Sequence, residues 1–143
     1  MPTFNAAARS LIESDALAHL VTVGADGRPQ VTCVWVGFDE QNPDEIVFAS
    51  LGEYQKIKNI RRDPRVTLSI ETREGPNEWG LIPYLVVNGR GRVETGHGPA
   101  LLQRLAETYL GPGRPYPPME DPPEGFVVHI TAERIGGVGD WAI

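Results

Sequence analysis

Ser50-Leu51-Gly52-Glu53-Tyr54-Gln55-Lys56-Ile57-Lys58-Asn59-Ile60-Arg61-Arg62-Asp63-Pro64 lies between two short apolar runs, Ile46 to Ala49 and Val66 to Ile70. It holds both lysines of the chain, Lys56 and Lys58. From Lys56 to Arg65 five basic residues stand against one acid, in a chain of formal net charge -6. Ser50 and Glu53 have the spacing of a capping box, which predicts a helix start at that point. Tyr54, Ile57 and Ile60 predict the buried stripe of that helix. Lys56 and Asn59 then share a second face, and Lys58, Arg61 and Arg62 a third. Asp63-Pro64 ends the helix, because the residue before a proline avoids helical geometry. Free N–H groups and the helix dipole favour an anion at such a start, and a neighbouring lysine adds to that. Lys56 first, and Lys58 second, are the candidates for holding a phosphate.

Upstream, Asn5 to Leu17 predicts a helix and Leu17 to Val23 a strand. Asp26-Gly27 then gives a strong hairpin signal. The return strand, Gln30 to Phe38, is largely apolar on both faces, as expected of a barrel wall covered outside by a helix or a partner. Asn42-Pro43 turns the chain into a third strand, Glu45 to Ala49. Downstream, Arg65 to Thr72 and Gly80 to Thr95 read as strands, and Gly89 and Gly91 in the second predict a bulge or a close backbone approach. Ala100 to Leu110 is a second strong helix, with Leu101, Leu102, Leu105 and Tyr109 inward. The proline-rich stretch 111–125 is a loop, of a length usual for lids and interface arms. Phe126 to Thr131 is the last strand, and Gly136-Gly137 reads as a turn. The sum is six strands and three helices without βαβ alternation. That argues for a mainly β, antiparallel barrel with helices outside, in one domain spanning 1–143.

Composition narrows the partners. An acidic chain with one local basic cluster suits a small anionic ligand better than nucleic acid. One cysteine, Cys33, allows neither an internal disulfide nor a Cys-based zinc site and suits a reducing compartment. With no apolar leader and no apolar run long enough to cross a bilayer, the expectation is a cytoplasmic protein without membrane partners. His19, His97 and His129 are scattered and show no metal-ligand spacing, so no metal site is expected. No catalytic constellation is visible either: Ser50 lacks the Gly-x-Ser-x-Gly context of a serine hydrolase. Gly136-Gly137-Val138-Gly139 fails the dinucleotide-binding pattern.

The run from Ala49 to Val66 resembles the segment after the third strand of the FMN-binding split β-barrels. More narrowly, it resembles the group related to pyridoxamine 5′-phosphate oxidase that uses the deazaflavin coenzyme F420. The Asp26-Gly27-Arg28-Pro29-Gln30 hairpin, the Val34-Trp35 strand and Arg134-Ile135-Gly136-Gly137 carry the likeness over nearly the whole chain. It implies a six-stranded antiparallel split barrel and a homodimer with cofactor sites at the interface. Lys56 and Asn59 match positions that hold the cofactor's phosphate and ring, with Ser50 and Ala49 contributing from the strand end. Thr32, Cys33 and Val34 would line the ring with backbone groups. The implied function is an F420-dependent oxidoreductase passing hydride between the deazaflavin and a small conjugated or apolar substrate. An FMN enzyme resembling pyridoxamine 5′-phosphate oxidase is the alternative within the fold. A non-catalytic carrier of flavin, F420 or a tetrapyrrole-like ligand is the alternative outside catalysis. Hydride chemistry belongs to the ring, so the chain need only bind, orient and exclude water.

Overall fold

The computed structural model describes residues 2–141. Its elements run α1 (Ala6–Ile12), β1 (Ala18–Val23), β2 (Pro29–Val34), β3 (Gly37–Phe38) and β4 (Glu45–Ser50). Then come α2 (Gln55–Arg62), β5 (Arg65–Glu71), β6 (Tyr84–Thr95), α3 (Gly98–Tyr109) and β7 (Phe126–Val138). The strands form one antiparallel sheet in the order β2-β1-β5-β6-β7-β4-β3.

The strand count is seven where six were expected. The stretch read as one strand, Gln30 to Phe38, bends at Trp35-Val36. Its first half pairs with β1 and its second with β4. These halves are the two edges of the sheet, yet only two residues separate them in the chain. A flat sheet cannot satisfy that connection, so the sheet curls until its edges meet at the bend.

The bend is held from outside. The Tyr109 hydroxyl accepts a hydrogen bond from the Val36 N–H at 3.1 Å and donates to the Ala16 carbonyl at 3.2 Å. Its ring stacks on Trp35 at 5.3 Å, with 11° between the planes. Burial pushes the Tyr109 phenol above its ordinary pKa, so it keeps the proton it donates.

Alternation along the strands divides the apolar residues between two layers. Leu20, Phe48, Leu68, Ile70, Leu85 and Ile130 point into the barrel with Ile57 and Ile60 of α2 and Ile12 of α1. Outside, Leu101 and Leu105 of α3 pack on Val47 of β4 and Val127 of β7. The covered outer wall is therefore made by β4 and β7. No described helix of this chain covers the outer face of β2, where Cys33 is exposed and Val31 is 60% exposed.

Several local expectations are corrected. There is no capping box: Ser50 is the last residue of β4, and its hydroxyl donates to the Gly52 carbonyl at 2.7 Å. Glu53 pairs with Arg61 instead. Tyr54, assigned to the buried stripe, is the N-cap residue of α2 and is exposed. The first helix stops at Ile12, five residues early, where the Ser14 hydroxyl donates to the Leu11 carbonyl. Gly136-Gly137 is not a turn but part of β7, which runs to Val138. Gly137 has φ 104°, and a Cβ there would run into the Tyr84 carbonyl. The bulge predicted around Gly89 is present as a register shift between Asn88 and Gly89. Among the described residues no helix is long and apolar enough to cross a membrane.

Replacing Tyr109 by Phe keeps the stacking and removes the hydroxyl, leaving the buried Val36 N–H without that partner. The expected loss is about 1–3 kcal/mol of stability, measured by denaturant unfolding. An unchanged midpoint would show that the bend does not depend on this bond.

Candidate functional site

The basic cluster of the opening stretch sorts itself by partner. Arg61 pairs with Glu53, and Arg65 with Asp63 at 2.7 Å. The Arg65 side-chain hydrogen bond, then its backbone one, hold the Asp63 carboxyl down at about 2. Arg62 donates to the Val23 carbonyl. Lys58 is exposed on its own face. Lys56 alone is half-buried, and among the described residues it has no carboxylate partner. Its ammonium lies 5.2 Å from the centre of the Tyr54 ring. Desolvation pushes the Lys56 pKa below the ordinary 10.5.

Lys56 opens onto a cavity of about 190 Å³ lined also by Leu17, Cys33, Val34, Trp35, Ala49, Leu102 and Tyr116. Four of the eight residues singled out in the sequence, Lys56, Ala49, Cys33 and Val34, therefore meet at one place. Trp35 and Tyr116, 5.2 Å apart and tilted at 52°, form an aromatic wall beside the lysine. The Tyr116 N–H donates to Gln103 Oε1 at 2.7 Å, and Gln103 Nε2 donates to the Arg114 carbonyl at 2.9 Å. The proline-rich loop is thus folded back onto α3, with Tyr116 at the cavity of its own chain. Nothing in the sequence spacing brings Trp35 or Tyr116 to Lys56. Only the fold shows that both face Lys56.

The other four residues stand elsewhere. Ser50 is buried at the end of β4 and is not among the cavity residues. Lys58 points to solvent. Thr32 lies on β2, and its buried hydroxyl has no hydrogen-bond partner among the described residues. Asn59 is fully buried, at 0% exposure, and does not share the surface of Lys56. Its Nδ2 donates to Thr22 Oγ1 at 3.0 Å and to Gln30 Oε1 at 3.1 Å. Its Oδ1 accepts from Gln55 Nε2 at 2.8 Å and from Arg62 Nη2 at 3.2 Å. Two donors and two lone pairs complete the capacity of an amide. Asn59 ties α2 to β1 and β2, and that tie sets the direction in which Lys56 leaves the helix.

This arrangement suits an anionic, flat ligand. An unpaired, partly desolvated ammonium stands beside an aromatic and apolar wall, with the end of β4 at its floor. Thr32 does not extend this fit: it is paired with Leu20 on the opposite face of β2 from Cys33 and is not among the cavity residues. A second cavity, about 420 Å³, shares none of these residues.

A family profile described as pyridoxamine 5′-phosphate oxidase matches residues 4–139. Similar solved structures include an F420 reductase, 26% identical, covering 90% of this chain and 94% of that one at a TM-score of 0.70. A conserved hypothetical protein of Mycobacterium tuberculosis is 24% identical over 94% of this chain and 83% of its own, at 0.69. A Listeria innocua protein provisionally named pyridoxamine 5′-phosphate oxidase is 21% identical over 92% and 94%, at 0.64.

Replacing Asn59 by Ala strips partners from Thr22, Gln30 and Gln55 at a buried junction. Stability should fall by roughly 1–3 kcal/mol, whereas Lys56→Ala should stay within about 0.5 kcal/mol of wild type. Urea unfolding of the two variants side by side checks the contrast.

Proposed function

The chain belongs to the pyridoxamine 5′-phosphate oxidase family, and on that premise we propose that it is an oxidoreductase using coenzyme F420. The observation that carries this reading is Lys56: half-buried, without a carboxylate partner among the described residues, and set against the Trp35–Tyr116 wall. A phosphate held there would regain for Lys56 the charge interaction that desolvation removes. The deazaflavin reading draws on the 26% identity to an F420 reductase over nearly the full length of both chains.

When bound, the ring supplies the hydride chemistry. The residues of this chain bind, orient and exclude water. Ala49, Cys33 and Val34 give the ring a close approach to strand backbone, and Ser50 fixes the end of β4 through its bond to the Gly52 carbonyl. Lys58, Arg61 and Arg62 give that end of the molecule a basic surface. The substrate would be small and apolar or conjugated, in keeping with Leu17, Leu102 and the two aromatic rings.

The site would be completed by a second copy of the chain. A cavity of about 190 Å³ is smaller than pockets that enclose a cofactor-sized ligand. The uncovered outer face of β2, with Val31 and Cys33, lies next to it and would form the seam. FMN is the second reading, favoured by the description of the family profile.

Titrating the purified protein with F420 and with FMN, followed by fluorescence, tests the cofactor; tight FMN binding without F420 binding would overturn the first reading. Reduced-F420 oxidation with conjugated acceptors tests catalysis, since a carrier binds without turnover. Lys56→Ala should weaken cofactor binding by about 1–3 kcal/mol. The pH dependence has a definite sign. Lys56 must be protonated to hold an anion, so affinity is full below its pKa and falls as pH rises through it. Because that pKa is lowered, the loss should begin earlier than for an exposed lysine, and Lys56→Ala should abolish it. Val31→Glu should shift the oligomer toward monomer in sedimentation and weaken cofactor binding with it.

A further inference from the structure

Outside the Lys56 cavity, one group of side chains has a geometry the proposed function does not use. His129 sits on β7 with 7% exposure. Its Nε2 lies 2.6 Å from Glu94 Oε1 and its Nδ1 lies 3.1 Å from Glu45 Oε1. Asp39, just past β3, completes the group. One ligand atom from each of Asp39, Glu45 and His129 lies within 4.8 Å of the other two.

With Nε2–H donating to Glu94, Nδ1 presents a lone pair to Glu45 and Asp39. A lone pair and a carboxylate oxygen 3.1 Å apart repel unless a cation stands between them, either a proton or a metal ion. Ligand atoms bound to zinc at about 2.0–2.2 Å lie roughly 3.4 Å from one another in a tetrahedron. The Nδ1–Oε1 separation is already near that value. Glu94 occupies the place of the outer carboxylate that orients a metal-binding histidine and raises its basicity.

The surroundings also fit a cation. Asp39 and Glu45 are joined by a backbone hydrogen bond, Asp39 N–H to Glu45 C=O at 3.0 Å, which closes the turn between β3 and β4. Glu45 and His129 stand on the paired strands β4 and β7, and Asp39 follows directly on the end of β3. The nearest competing cation is Arg92, 3.6 Å from Glu45 Oε1 and largely in solvent. The cavity of about 420 Å³ opens on the group, with His97 and Arg104 further along its wall.

We propose that Asp39, Glu45 and His129 bind one divalent first-row transition ion, such as Zn²⁺ or Mn²⁺, whose open coordination positions face the larger cavity. One nitrogen and two carboxylates suit such an ion better than Mg²⁺ or Ca²⁺, which take oxygen ligands. The site does not depend on the cofactor reading, since the two cavities share no residue.

The test is calorimetric titration of chelator-treated, folded protein with ZnCl₂, MnCl₂ and MgCl₂, with melting temperature as a second measure. One equivalent of Zn²⁺ or Mn²⁺ per chain, with a raised melting temperature and no response to Mg²⁺, is expected. Asp39→Asn, a near-isosteric change outside the strands, and His129→Gln should each weaken binding at least about tenfold. Glu94→Gln touches no ion directly and should weaken it by roughly 10–100-fold. Absence of saturable uptake by the folded protein would overturn the proposal and leave His129 as a buried residue held between two carboxylates. So would Zn²⁺ uptake that survives Asp39→Asn but disappears in Cys33→Ser, which would put the ion on the exposed thiol.

Discussion

Everything in this molecule hangs on how ten residues, Pro29 to Phe38, supply both edges of a single sheet. The constraint is topological before it is energetic. Two residues cannot bridge the width of an open seven-stranded sheet, so the sheet must roll up. What fixes the bend at Trp35-Val36 is chemical. The Tyr109 hydroxyl takes the Val36 N–H and gives its proton to Ala16, while its ring covers Trp35. One tyrosine at the end of α3 therefore joins the helix to the seam of the barrel. It also sets the plane of the tryptophan that walls the candidate site.

Helix α2 is set by a second polar tie, placed where an apolar contact would hold less direction. Ile57 and Ile60 supply burial, which is indifferent to rotation of the helix by a few degrees. Asn59 is not indifferent: its four hydrogen bonds reach β1, β2 and two positions of its own helix. A fully satisfied buried amide specifies one arrangement among many of similar apolar burial. Lys56, one turn earlier, inherits its direction from that choice. Asn59 is thus tied to the candidate site through orientation, with its own amide turned away from the cavity.

The periodicity of the chain made the barrel class, the position of α2 and α3, and the bulge at Gly89 legible. These rest on local signals: alternation, helical stripes, Asp-Gly and glycine pairs. The break of the 30–38 strand was not legible, because Trp35 and Val36 are good strand residues and the bend is imposed by pairing at both ends. Ser50 and Glu53 matched a capping box by spacing alone. Pairing with β7 extends β4 through Ser50, and Glu53 finds Arg61, so that local pattern lost to tertiary partners. At the candidate site the lysine was visible from composition, but its aromatic wall was not. Trp35 and Tyr116 are 81 residues apart and meet only because the proline-rich loop returns along α3. The histidine group was invisible for the same reason: Asp39 and Glu45 stand far from His129 in the chain, so no ligand spacing announces them.

The two cavities are not separate accidents of the surface, because they share the outward face of one strand. Along β4 the residues that point away from the barrel are Glu45, Val47 and Ala49. Glu45 belongs to the histidine group, Ala49 lines the Lys56 cavity, and Val47 between them lies under Leu101 and Leu105 of α3. Helix α3 roofs both, with Leu101 and Arg104 toward the larger cavity and Leu102 toward the smaller. A strand that is packed on both faces transmits position stiffly, since neither side has room to relax. The same packing that leaves β4 no freedom to shift holds the two candidate sites in fixed register, about four residues or 13 Å apart along one strand.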